Sequence, residues 1–190
     1  MTEREAFIQS IVANPRGTGI RLAFADWLEE RNDPQGEYIR AACELADFYV
    51  TPITRSGWVG RIAELCERID AKFNPEWFRI PALVLRRQLK PTPILHGWAL
   101  QHGGVDVRTF TTVVRRGFVE KVICTLADWQ KFGTHIKQYQ PVFEVTMTDD
   151  PATLPYPDGL SGGVVHRGDL IIRSLQEEFP GVNFSWDPTY

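Results

Sequence analysis

Four histidines are the first side chains to weigh for chemistry: His96, His102, His135 and His166. Zinc sites draw histidine, cysteine and carboxylate ligands from closely spaced positions. These four are scattered, with no H-E-x-x-H and no C-x-x-C among them. His96 and His102 share one Gly-containing segment, but a metal there would need carboxylates from elsewhere. They read as polar loop residues, and His135 reads as a partly buried packing residue beside Phe132 and Ile136. The three cysteines, Cys43, Cys66 and Cys124, are far apart and odd in number. That argues against a disulfide framework and fits a reducing compartment. Cys124 closes an alternating apolar run and reads as a core thiol.

Carboxylates gather at Asp26, Glu29, Glu30, Asp33 and Glu37. Helical spacing puts Asp26 and Glu30 on one face. Acid–base catalysis needs a cleft that shifts a pKa, and the pattern supplies none. A solvated helix face with a cap at Asp33 accounts for the cluster. Gly159-Leu160-Ser161-Gly162-Gly163 lacks the lysine and the strand–loop–helix frame of a phosphate loop. Ser161 has no G-x-S-x-G elbow around it. The basic clusters are Arg86-Arg87-Gln88-Leu89-Lys90 and Arg115-Arg116, the latter read as an exposed side of a strand or turn. In a chain of net charge −3 they do not make a nucleic-acid face. The expectation is no catalytic residue, no metal and no cofactor.

The elements that must carry these residues are helical first. Thr2-x-x-Glu5 fits a capping box. Phe7, Ile8, Ile11 and Val12 then form an apolar stripe that Asn14-Pro15-Arg16-Gly17 ends. Thr18 can cap a second helix, with Ile20, Phe24, Trp27 and Leu28 on one face. Asn32 tolerates the left-handed conformation that stops it. Asp33-Pro34 then restarts the chain as a cap and a first-turn proline. The third helix carries Tyr38, Ala42, Leu45 and Tyr49, with Ile39 beside the stripe. A fourth spans 59–73, with Ile62, Leu65, Cys66 and Ile69 inward.

The period changes after the Pro/Gly-rich stretch 90–104, which divides the helical half from the rest. Segments 107–114 and 118–124 alternate, joined by a hairpin turn at Arg115-Arg116-Gly117. A helix over 127–139 and a strand over 142–148 follow. After the Pro/Gly-rich loop 149–163 come a helix over 169–179 and a strand over 182–186. Strand, helix, strand over this length predicts a parallel crossover, the size of one leucine-rich unit. The L-x-x-L-x-L signature with Asn or Cys is absent, so the unit is repeat-like only.

One stretch resembles a known family. Residues 3–46 are similar to the bacterial repeat-companion domain, an N-terminal module common in planctomycetes. The resemblance is carried by Glu5-Ala6-Phe7 with Ile11, by Asn14-Pro15, and by Arg21-Leu22-Ala23-Phe24-Ala25-Asp26-Trp27-Leu28-Glu29-Glu30. It continues through Asp33-Pro34-Gln35-Gly36-Glu37-Tyr38-Ile39-Arg40 into Cys43-Glu44-Leu45. Asn32 stands where the family usually has glycine. Residues 113–147 resemble the family's downstream region, through Arg115-Arg116-Gly117-Phe118-Val119-Glu120-Lys121-Val122 and Pro141-Val142-Phe143-Glu144-Val145. The resemblance implies leucine-rich-repeat-like units downstream and brings no catalytic residue with it.

The expected fold class is α+β: an N-terminal helical module, 1–89, packed on a small β-sheet with strand–helix–strand units, 105–190, in one continuous globule. No run of 18 apolar residues is present to span a membrane. Met1–Glu5 carries both charge signs, unlike a signal peptide. A cytoplasmic interaction or adaptor module with a protein partner is the expected function. Trp27 and Trp129 lie on core stripes. Trp58, Trp98 and Tyr156 are the candidate partner-binding anchors, since aromatic side chains dominate interface energy. The alternative is a ligand binder or enzyme using the 90–104 and 149–168 loops, with His96, His102 and His166 lining a pocket.

Overall fold

The computed structural model describes residues 1–50, 58–72, 74–78, 90–94, 97–101, 110–154 and 167–188. Helix α1 runs Glu3–Ala13 and opens on the expected capping box. The Thr2 hydroxyl accepts from the Glu5 amide, and the Glu5 carboxylate accepts from the Thr2 amide at 2.7 Å. Helix α2 runs Thr18–Glu29. Its cap is Gly17, with no side-chain bond, so Thr18 lies inside the first turn rather than capping it. Asn32 adopts φ 56°, and the Asp33 amide donates back to the Leu28 carbonyl at 2.9 Å. That closes α2 as expected for a left-handed stop. Asp33 Oδ1 then accepts from the Gln35 amide, capping α3, Gln35–Val50. Gly36 allows the hairpin to close: a Cβ there would stand 2.7 Å from the Ala25 carbonyl oxygen.

Helix α4 is Trp58–Lys72, followed by a short 3-10 turn, Pro75–Phe78. Leu65 and Ile69 are fully buried, with Ile62 and Cys66 packed partly against the same cluster.

The sheet strands are β1 Lys90–Ile94, β2 Gly97–Gln101, β3 Phe110–Arg115, β4 Phe118–Cys124, β5 Glu144–Met147 and β6 Asn183–Trp186, in that spatial order. Neighbours from β1 to β4 are antiparallel; β5 pairs parallel to β4, and β6 parallel to β5. Residues 90–94 and 97–101, inside the stretch 90–104 expected to be a break, therefore add two antiparallel strands. Pro91 and Pro93 lack amide donors and masked the strand in the sequence. The outermost strand of the order, β1, is where proline is tolerated. The β3–β4 turn holds Arg116 at φ 51° and Gly117 at φ 81°. Two consecutive positive φ values make the two-residue turn that matches strand twist.

Helices α5, Leu126–Tyr139, and α6, Arg167–Glu178, are the two crossovers. Trp129 is fully buried between Phe179 and Phe184, at centroid distances of 5.3 and 5.8 Å. Val122, Val145 and Met147 face the same apolar cluster, which continues through Val119 and Phe118 to Phe24, Leu28 and Tyr38. The fold is α+β, with helices packed at the N-terminal side of a mixed sheet.

Candidate functional site

A dense polar cluster lies where the helical half meets the sheet. Arg21 on α2 and Glu120 in β4 are both wholly buried, 2.9 Å apart. Arg21 also donates to the Gly17 and Pro15 carbonyls, each at 2.8 Å. Arg116, at the hairpin tip, donates Nε and Nη2 to the two Glu120 oxygens at 2.9 Å. Its Nη1 reaches the Arg16 carbonyl at 2.7 Å. One carboxylate thus holds two guanidiniums, and both guanidiniums hold the α1–α2 loop. The Arg21 Nε is buried without a hydrogen bond among the described residues.

Electrostatics at this junction follow burial. Desolvation pushes the Glu120 carboxyl above its ordinary value and the Arg21 guanidinium down to about 10, against the attraction between them. The neighbouring Cys43 thiol donates to the Arg116 carbonyl at 3.8 Å, and burial pushes it up to about 12. Burial raises Cys124 as well. Neither thiol is poised as a thiolate nucleophile.

Arg115-Arg116 was expected on an exposed side of a strand or turn, and the exposure is corrected. Arg116 is only 17% exposed, and Arg115 lies 3.8 Å from Glu144. The tip is covered because it docks on α3: a Cβ on Gly117 would stand 2.8 Å from Ile39 Cγ1. Glu120 and Arg21 were matched only as parts of a motif. Their signal was a charge at an inward-facing position, Arg21 one residue from Ile20 and Glu120 between Val119 and Val122.

Asp26, Glu29, Asp33 and Glu37 of the acidic cluster are spent on ion pairs between elements, while Glu30 faces its neighbour Arg31 at 3.7 Å. Arg40 of α3 binds Asp26 and Glu29 of α2. Glu37 faces Lys72 at 3.1 Å and Arg68 at 3.5 Å on α4. Asp33 pairs with Arg4 at 2.8 Å, besides capping α3. Glu44 takes Arg61 at 2.6 Å. The solvated face and the cap are as expected, but the face is a lattice that ties α2, α3 and α4 together.

The remaining sequence candidates separate. Trp58 opens α4 and Trp98 pairs with Val114 in β2, but their side chains lie outside the described residues. Tyr156, His96, His102 and His166 lie outside them altogether. His135 is exposed, its ring edge-on to Tyr139 at 5.3 Å, rather than partly buried. Helix rotation explains it: Gly133 and Ile136 take the inward positions of α5. Trp27 is half-buried, not a core residue. It stacks on Phe24, carries the Arg31 guanidinium 4.0 Å above its ring, and donates to Glu3 at 3.0 Å. Among the described residues no group of three or more His, Cys, Asp or Glu side chains is placed to hold a metal ion.

A cavity of about 250 Å³ lies beside the junction. Ile8, Phe24 and Phe118 form its apolar side, and Arg4, Gln35, Asn74, Glu76, Trp77, Tyr139 and Gln140 complete it. Gln140 is locked in place, its Oε1 accepting from the Val119 amide at 2.9 Å and its Nε2 donating to the Phe78 carbonyl at 2.8 Å. The cavity is assembled from α1, α2, α3, the 3-10 turn, β4 and α5, so no single segment announces it. No family model, curated protein or solved structure matches the chain.

Proposed function

We propose that the chain is a non-catalytic protein-interaction or adaptor module of the repeat-companion kind, serving in the cytoplasm within a larger bacterial assembly. The observation that carries this reading is the Arg21–Glu120–Arg116 junction. It joins the two segments that resemble that family, 3–46 and 113–147, through groups that pair with one another. Such a cluster holds a scaffold in register and leaves no poised acid or base. Supporting it, the carboxylates of α2 and α3 serve as bridges between helices. Among the described residues no helix is long and apolar enough to cross a membrane. The three free cysteines agree with a reducing compartment.

The partner is a protein held through Trp58, Trp98 and Tyr156. Truncating an anchor of that kind costs about 2 kcal/mol or more of binding. Copurification of the tagged chain from its host, followed by a salt titration, tests the reading. The expected result is a stoichiometric protein partner retained at high salt and weakened by Trp58→Ala or Trp98→Ala. Recovery of RNA or DNA with a steep salt slope would overturn it and promote Arg86, Arg87, Arg115 and Arg116. Saturable turnover of a small molecule without a protein partner would favour the enzyme alternative.

A further inference from the structure

We infer that the 250 Å³ cavity beside the junction is a binding site for a small organic cation, an alkylammonium or guanidinium group. The inference does not rest on the adaptor reading. It starts from the charges around the cavity. Arg4 is one lining group, but its guanidinium is committed: Nη1 donates to Asp33 at 2.8 Å and Nη2 to Gln35 Oε1. It also lies 6.0 Å over the Phe24 ring. Arg4 and Asp33 cancel each other. Glu76 is the other charged lining residue, exposed, with no ion partner among the described residues. Among the lining side chains the unpaired charge is therefore Glu76, in a chain of net charge −3, while the junction cations Arg21 and Arg116 stand behind Phe118 on Glu120.

The walls decide which cation. Trp77, Tyr139, Phe24 and Phe118 all line the cavity. Aromatic faces attract organic cations, and more strongly when the pair is shielded from water. One carboxylate is too few ligands for a bare divalent ion. The volume sets the size. Drug-sized ligands occupy pockets of roughly 300–1,000 Å³, so this cavity takes a single side-chain-sized group. Gln35 Oε1 and Asn74 Oδ1 each accept one hydrogen bond already, from Arg4 and from the Glu76 amide, and each keeps one further lone pair for a donor of the head group. The position of Glu76 is fixed locally. Its amide donates to Asn74 Oδ1 at 3.0 Å, which starts the 3-10 turn and sets Glu76 and Trp77 side by side.

Two sources can present this chemistry, a free amine or a basic side chain of a partner polypeptide. Amide chemical-shift titration of the intact chain separates them. The probes are agmatine, the peptide acetyl-Gly-Arg-Gly-amide, and the same peptide with citrulline in place of arginine. Saturable shifts at Asn74–Trp77, at Gln140 and at the Trp77 indole are expected with both cations and not with citrulline. Agmatine binding as tightly as the peptide identifies a free-amine site, and a tighter peptide identifies a side-chain site. Glu76→Gln should weaken binding about tenfold or more, since the acceptor loses its charge while its carbonyl remains, and Glu76→Asp should restore part of it. Glu76 is exposed, so these variants keep the fold, which an unchanged Tm verifies. No saturable shift with either cation, equal binding of the citrulline peptide, or full binding by Glu76→Gln would each overturn the site.

Discussion

The molecule uses guanidinium–carboxylate pairs in two places, and the two obey different physics. At the junction, Arg21, Arg116 and Glu120 meet with Arg21 and Glu120 wholly buried. Across α2, α3 and α4, the pairs of Arg40, Arg61 and Lys72 keep a third or more of each side chain in solvent. The exposed pairs gain little, because water and salt screen them and long side chains lose entropy when held. The buried cluster costs several kcal/mol per ion in desolvation, recovered only while every partner is present. Exposure makes a pair dispensable, and burial makes each member obligatory without making the set a large net gain. That is why the buried cluster serves registration: a misdocked sheet would strand a charge.

The largest expected effect comes from removing the shared partner. Glu120→Ala leaves two guanidiniums facing each other beside the Pro15 carbonyl, Arg21 wholly buried among them. Unfolding in urea should show a loss of about 3–5 kcal/mol. A loss under about 1 kcal/mol, the range of a surface pair, would erase the distinction between the regions. Next is the turn that carries Arg116 into place. Gly117→Ala puts a methyl against Ile39, 3.0 Å from its Cα, at φ 81°. Left-handed strain alone is of order 1–3 kcal/mol, so about 2 kcal/mol or more is expected from thermal unfolding. An unaffected Tm would mean that the hairpin tip is not seated on α3.

The legibility of these features in the sequence follows their locality. The capping box at Thr2, the stop at Asn32 and the cap at Asp33 are decided within four residues, and all three stand as read. The strand–helix–strand pattern was visible because alternation and helical period differ clearly over 118–147. The β1–β2 pair was hidden, since prolines at alternate positions look like a linker until an outermost strand makes room for them. Trp27 was misplaced because its stripe position is shared by a surface aromatic capped with Arg31. The cavity and the junction were not legible at all. Arg21 and Glu120 are 99 residues apart, and the cavity draws on six elements. Only tertiary packing brings such groups together.

A smaller effect tests the exposed lattice directly. Arg40 is bound to two of its carboxylates, Asp26 and Glu29, yet it is 39% exposed. Arg40→Ala should cost no more than about 1 kcal/mol, and added salt should shrink the difference between variant and wild type. A cost as large as that of Glu120→Ala, unchanged by salt, would show that the lattice behaves like the junction.

The smallest expected effect is in pH dependence, and there the two regions have opposite signs. The Glu37 carboxyl is held below its ordinary value of 4.5, chiefly by its hydrogen bond from Lys72. Between its folded and unfolded pKa, the unfolded chain holds more protons. Glu37 therefore contributes stability above about pH 4.5 that is lost as pH falls through the folded pKa. Glu120 is raised by burial. Between 4.5 and its folded pKa the folded chain holds more protons, so its contribution is fully present below 4.5 and declines as pH rises. Carboxyl carbon shifts followed by NMR should place the Glu37 midpoint below 4.5 and the Glu120 midpoint above it. Urea midpoints measured over the same range should show less acid-side loss in Glu37→Gln than in wild type. A Glu120 midpoint at or below 4.5 would mean that burial does not outweigh the two guanidiniums there. The contrast between a desolvated cluster and a solvated lattice would then reduce to distance alone.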